Sequence, residues 1–261
     1  MNDLNWRRFL FPGGKVPPLL MAKDTAPLDQ LHAGGLKASL RLAEQAAFSA
    51  GELVLDLGAG FGGSARLLAE NSRCRVICLD VQRRYLKTAA EIFQARKLPH
   101  LGFVQSSAAR LPFHSESMDG IWIQHLLGSV PNSFSVIREA SRLLKPGGKM
   151  VLHECLAGGA VDGPINYPLP FANTAEQNYA PGYKQLFQRM VDLGLRQSYF
   201  QETSEEMAAW YQCRREKLLE LSDDIHHPIY GKEFLDMLQN MAAALGNGSL
   251  TIWETVWTKH R

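Results

Sequence analysis

The sequence predicts an α/β protein built on a parallel sheet with helices on both faces. Three observations carry this. Short β-rich runs alternate with helix-like segments through the middle of the 261-residue chain. Several of those runs, such as LVLDL and RVICL, are continuous apolar stretches, the mark of strands covered on both sides. The composition, 46% hydrophobic and 21% charged, is that of a globular chain long enough to bury a large core.

The elements follow in order. Residues 1–27 hold four of the 13 prolines together with Trp6, Phe9 and Phe11, and read as an irregular arm over the body. From Leu28 to about Phe48 apolar residues recur at helical spacing, interrupted at Gly34 and Gly35. Strands are expected near 53–57, 75–79, 101–105, 119–124 and 149–155, and helices near 62–70, 83–97 and 132–144. Residues 157–181, rich in Gly, Pro and aromatics, read as a long loop or lid of the kind that is usually functional. Beyond it come a helix near 183–193, a strand near 195–202, helices near 204–222 and 232–245, and a last strand near 250–258. The alternation of that last strand suggests an edge or half-covered position. The whole reads as one domain: arm and helix over 1–50, core over 51–156, lid over 157–181, and the remaining strands with a helical insertion over 182–261.

Several function classes are disfavoured. Lys plus Arg number 28 against 26 Asp plus Glu, so the net charge of +2 lacks the basic excess that holds nucleic acid. Apolar runs are broken within helical length, so no membrane span is expected. The N-terminus lacks the apolar core of a secretory signal, which makes the cytosol the default compartment. Cys74, Cys78, Cys155 and Cys213 include no CxxC pair and read as reduced packing thiols, with Cys74 and Cys78 on one strand face.

The strongest motif is VLDLGAGFGGSARLLAE, residues 54–70, an apolar strand, a glycine loop and an amphipathic helix. Gly58 and Gly60 let a ligand approach the backbone. Asp80, at the end of the second strand, stands where a carboxylate accepts both ribose hydroxyls. With Gly63 the loop also fits the dinucleotide fingerprint, so NAD and S-adenosylmethionine (SAM) compete. Asp56 discriminates. A carboxylate beside a helix N-terminus repels a pyrophosphate but suits the cationic ammonium and sulfonium of SAM. Its plainer role is to cap the loop, and the two roles are compatible.

These segments resemble the class I SAM-dependent methyltransferases. The likeness covers residues 28–156 through VLDLGAGFG, VICLD, QSSAARLPF, MDGIWIQHLL and REASRLLKPGGKMVLHE. LHAGGLKASLRLAE, the Gln124-His125 pair and the CLAGG-to-YPLPFA loop resemble the subgroup of sarcosine/dimethylglycine N-methyltransferases and related small-molecule enzymes. The resemblance implies a Rossmann-like, doubly wound sheet of seven mostly parallel strands with an antiparallel last strand, capped by the lid and the helical insertion. It implies that Asp56, Gly58 and Gly60 line the methionine part of SAM, that Asp80 holds the ribose and that Val81 meets the adenine. Ser107 and Ala108 would flank the adenine's other face. There the family commonly carries Gly-Asp-Ala, and a neutral serine is the weaker acceptor.

Methyl transfer from a sulfonium needs positioning and exclusion of water more than acid–base help. His125 is the candidate base or orienting group, with a satisfied loop histidine its equal alternative. Gln124 would hydrogen-bond cofactor or substrate, and His32 would contact ligand. Tyr167 and Phe171 in the lid would wall the acceptor or simply anchor the lid. No metal is expected: HEC at 153–155 falls in a strand, and His226-His227-Pro228 lacks a third ligand. The expected partner is a small-molecule methyl acceptor, an amine favoured, with an oxygen or carbon acceptor next and a noncatalytic SAM-binding module the reading from another class.

Overall fold

The computed structural model describes residues 5–17, 20–98, 102–159, 163–220, 227 and 229–260. His226 and Pro228 of the histidine cluster noted above, and Leu101, lie outside them.

The arm is more ordered than its prolines suggest. It holds α1 (Trp6–Leu10), capped by the Asn5 side chain on the Arg8 N–H, and α2 (Ala22–Asp29). Trp6, Leu20 and Leu28 are buried against Phe61 and Ile92, and this apolar contact turns the segment helical despite Pro27. The chain continues through α3 (Gly35–Ala46), β1 (Leu53–Leu57), α4 (Gly63–Asn71), β2 (Arg75–Asp80), α5 (Arg83–Ala95), β3 (Gly102–Gln105), β4 (Met118–Gln124), α6 (Ser133–Leu143) and β5 (Leu144–Ala157). After the lid, whose described residues 163–181 are largely irregular, come α7 (Tyr183–Asp192), β6 (Leu195–Glu202), α8 (Ser204–Leu219), α9 (Phe234–Gly246) and β7 (Leu250–Lys259).

The seven strands lie in the order β3-β2-β1-β4-β5-β7-β6, with β7 antiparallel to both its neighbours and the other adjacent pairs parallel. Alternate side chains feed two layers. Leu55, Leu57, Ile121 and Ile123 enter one, and Val54, Trp122, Val151 and Val256 the other. Cys74 and Cys78 share the second layer, as their parity predicts. The chain steps outward from β1 to β2 and β3, then crosses back to β4 on the other side of β1, so the crevice at the carboxyl ends of β1 and β4 is the switch point where ligands of such sheets sit.

The last strand corrects one expectation. β7 is not at an edge but between β5 and β6, and Leu250 to Trp257 are all buried. Its polar residues look like a solvent face in sequence, yet the buried Thr251, Glu254 and Thr255 each have an internal partner. Arg41 grips Glu254 with two hydrogen bonds, and Thr251 and Thr255 accept from the indole N–H groups of Trp253 and Trp257.

Among the described residues, no helix is long and apolar enough to cross a membrane. α8 and α9 pack together over the lid, which contributes Leu169, Ile165, Tyr167 and Phe171 to their shared apolar cluster.

Candidate active site

A cavity opens at the switch point. It is lined by the end of α2 (Leu28, Asp29), His32, the turn after β1 (Asp56, Gly58, Gly60, Phe61), Ser64, Tyr85, Gln124 and, from the C-terminal insertion, Ile229 and Tyr230. The sequence-predicted residues His32, Asp56, Gly58, Gly60 and Gln124 therefore come together.

The glycine turn follows from its dihedrals and neighbours. Gly58 has φ 73°, and a Cβ on it would lie 2.9 Å from a Leu126 methyl; Gly60 has φ 53° and open space beside it. Gly63 serves packing: a Cβ there would lie 2.4 Å from the Asp29 carbonyl oxygen, so the glycine lets α2 close down on α4. Arg66, fully buried, locks that junction by donating to the Phe61 carbonyl and pairing with Asp29.

Asp80 is held on both oxygens, by the Gly60 N–H at 2.9 Å and the Gln82 N–H at 2.8 Å, which fixes its rotamer beside the turn. Val81, next to it, is 64% exposed, an apolar surface open to a flat ligand. Ser107 is exposed with its hydroxyl accepting from the Ala109 N–H, and Ala108 is buried. Asp80, Val81, Ser107, Ala108 and His125 are not among the residues that line the cavity.

Asp56 is buried, and its Oδ2 has no hydrogen-bond partner among the described residues. Burial first, and the nearby Asp80 charge second, push its carboxyl up to about 7, against the pull of the Ala65 N–H and Arg66. Among the described residues, the cavity lining carries Asp56, an Asp29 already paired with Arg66, the rings of Phe61, Tyr85 and Tyr230 beside the uncharged His32 imidazole, and no Lys or Arg. That environment suits a cation and gives a diphosphate no counter-charge. SAM fits: Asp56 would meet its ammonium, the open face of Gly60 its backbone-close part, and Asp80 with Val81 its nucleoside.

Three imidazoles gather near the ends of β4 and β5. His125 adopts φ 52°, an unusual backbone for a side-chain-bearing residue, and its N–H bonds to the His153 carbonyl at 2.9 Å. Buried Glu154 clamps the next turn, accepting from the Leu126 and Leu127 N–H groups at 2.8 and 3.1 Å, while its own burial raises it to about 8. His125 stacks on His32 (centroids 5.7 Å) and meets His153 edge-on (4.9 Å). Burial lowers His125 to about 3 and His32 to about 4, so both imidazoles are uncharged at neutral pH. At such a value His125 is a weak proton acceptor. Gln124 lines the cavity, but its amide is engaged by the chain: Oε1 accepts from Ser64 (2.5 Å) and Trp122 (3.2 Å), and Nε2 donates to His153 Nδ1 (2.9 Å).

Tyr167 and Phe171 do not reach the cavity. Tyr167 accepts from Asn178 at 3.1 Å, and Phe171 packs on Gly128, where a Cβ would approach within 2.8 Å. His153, Ser39, Ser64 and Tyr230 were missed. Strand parity alone puts Trp122 and Gln124 on one face, but only the β4–β5 register sets His153 opposite Gln124.

Residues 55–152 match the protein family described as "Methyltransferase domain". The chain carries a class I SAM-dependent methyltransferase domain. The domain's sequence relatives include the methyltransferase GfsG of Streptomyces halstedii, 31% identical over 53% of this chain and 50% of that protein. The glycine/sarcosine/dimethylglycine N-methyltransferase of Actinopolyspora halophila is 28% identical over 87% of this chain. The chain spans half of the first relative's length and 40% of the second's. Among solved structures, a candidate sarcosine dimethylglycine methyltransferase from Galdieria sulphuraria superposes with a TM-score of 0.76 at 21% identity, covering 98% of both chains. The [4+2]-cyclase SpnF superposes with a TM-score of 0.68 at 18% identity, covering 94% of this chain and 98% of its own.

Proposed function

We propose that the protein transfers a methyl group from SAM to the nitrogen of a small amine, with N-alkylated glycines as the acceptor class. The observation that carries the choice of nitrogen is the imidazole wall at the ends of β4 and β5. His32 and His125 are held uncharged by burial, so neither removes a proton readily near neutral pH. An amine entering with a free lone pair needs no base, whereas a phenol or an acidic carbon does. The likeness to glycine/sarcosine/dimethylglycine enzymes over most of the chain supports the same class.

SAM, when bound, supplies a methyl group already activated on a sulfonium. The chain's residues do the rest. Asp56 anchors the cationic amino-acid end, Asp80 orients the nucleoside, and the Glu154-clamped turn sets His125 against the acceptor. Ile229 and Tyr230, between α8 and α9, cover the cavity against water, leaving alignment as the main source of rate.

Fold alone does not establish the transfer, since a cyclase shares it. The test is incubation with SAM and a panel of glycine derivatives, simple amines, phenols and terpenoid compounds, read by mass. A one-methyl gain on an N-alkylglycine is the expected result. A gain confined to phenols or carbon acceptors rejects the nitrogen assignment. SAM binding with no transfer to any of them makes the chain a binding module.

A further inference from the structure

We propose that His153 and His125, packed beside His32, form the end of the acceptor site that binds a carboxylate, and that the His153 Nε2–H is its fixed donor. This rests on the N-alkylglycine reading and adds how the acid end of such a molecule is recognised.

The tautomer of His153 follows from its neighbours. The Trp122 indole is a donor only, and it points at one end of the Gln124 amide at 3.2 Å. That end must be the carbonyl oxygen, which also accepts from Ser64 at 2.5 Å. The NH2 end then faces His153 Nδ1 at 2.9 Å, so Nδ1 is the acceptor and the ring proton sits on Nε2. His153 is fully buried, and its Nε2 has no partner among the described residues. His125 Nε2 is likewise buried and unpartnered among them. Two buried imidazole nitrogens without partners cost enough that a ligand is the natural explanation.

The three rings converge. One ring nitrogen from each of His32, His125 and His153 lies within 4.8 Å of the others. The His32 nitrogens are already engaged by the Ala33 carbonyl at 3.0 Å and Gln30 Oε1 at 2.8 Å, which leaves His125 Nε2 and His153 Nε2 to meet an oxygen. Glu254, opposite His153 in the β5–β7 register, does not compete, because Arg41 holds it with bonds of 2.6 and 2.9 Å.

Three imidazoles also suggest a divalent metal, but the network opposes one. A metal on His153 Nε2 takes its lone pair and sends the proton to Nδ1, where the Gln124 NH2 already donates. Turning the amide over would aim its NH2 at the Trp122 N–H. The geometry favours an oxygen ligand.

The test has two parts. Ring-nitrogen NMR of the intact protein should show His153 protonated on Nε2; protonation on Nδ1 overturns the proposal. Binding is then measured with S-adenosylhomocysteine present, using sarcosine, N-methylpropylamine (an amine without the acid) and acetate (an acid without the amine). The wild type should prefer sarcosine to N-methylpropylamine by about ten- to hundred-fold, the worth of a buried hydrogen bond to a charged group. His153→Phe, and separately Trp122→Phe, which frees the amide to turn, should erase that preference with S-adenosylhomocysteine affinity unchanged. Two variants guard against one failing to fold. If acetate binding depends on His153 while no amine is methylated, the carboxylate site stands and the amine reading falls. If sarcosine is methylated with the same KM in both variants, the amine reading stands and the site falls. Stoichiometric Zn2+ uptake that His153→Phe abolishes, with acetate binding unaffected, also overturns it.

Discussion

Replacing Asp56 with asparagine should make the cofactor-free protein more stable and the SAM complex weaker. The carboxyl stands near 3.8 when unfolded and is pushed up to about 7 in the fold. A raised acid penalises the folded state as pH climbs from the unfolded value to the folded one, and the full penalty persists above it. The gap is about 3 pKa units, which at about 1.36 kcal/mol per unit comes to about 4 kcal/mol above pH 7. At about pH 5 only about 2 kcal/mol of that has appeared. The neutral amide of the Asp56→Asn variant carries no such penalty, so its stability advantage should grow by about 2–3 kcal/mol between about pH 5 and about pH 8. Urea unfolding at both pH values, without cofactor, measures it. The same substitution removes the charge that meets the ammonium, so calorimetry should show SAM affinity falling at least tenfold. A stability difference that does not vary with pH would show that Asp56 is not a strained acid, and unchanged SAM affinity would remove its ligand role.

Other perturbations have equally definite outcomes. SAM affinity of the wild type should fall as pH drops below about 7, by up to about tenfold per unit, because Asp56 must lose its proton to bind a cation; a flat calorimetric profile from about pH 5.5 to about pH 8 contradicts this. Asp80→Ala should weaken SAM by roughly 1.5–3 kcal/mol, the range for a hydrogen bond to a charged group, and equal affinity in titration rejects its ribose role. His125→Ala should lower turnover more than SAM affinity, and wild-type kcat would make it a structural histidine. Gly63→Ala sets a methyl against the Asp29 carbonyl and should cost about 1–3 kcal/mol in urea unfolding. An unaltered midpoint would mean that α2 does not need that close approach.

The fold is written locally for most of its length. Continuous apolar runs gave away β1 and β2, and the glycine spacing located the turn that shapes the cavity. The arm and β7 were harder for one reason: tertiary partners override local pattern. Trp6 and Leu28 become helical because Phe61 and Ile92 lie beneath them, and Glu254 and Thr255 pass for solvent-facing residues until Arg41 and Trp257 are placed. The same limit governs the site. Asp56, Gly58 and Gly60 are contiguous and legible, whereas His153 acquires meaning only through register with Gln124, and Tyr230 arrives from the far end of the insertion. Tyr167 and Phe171 are aromatic in a lid, and sequence cannot tell a ring that anchors a lid from one that faces a ligand.

The position of β7 has a consequence for how the protein is made. Among the described residues β6 pairs only with β7, so the strand ending at Glu202 finds no sheet partner until residues 250–259 have left the ribosome. Through that interval an aromatic-bearing ribbon waits beside the open flank of β5, and the ion pair tying α3 to Glu254 cannot form. Assembly of this half is therefore late and long-range, the step most exposed to misassociation during synthesis.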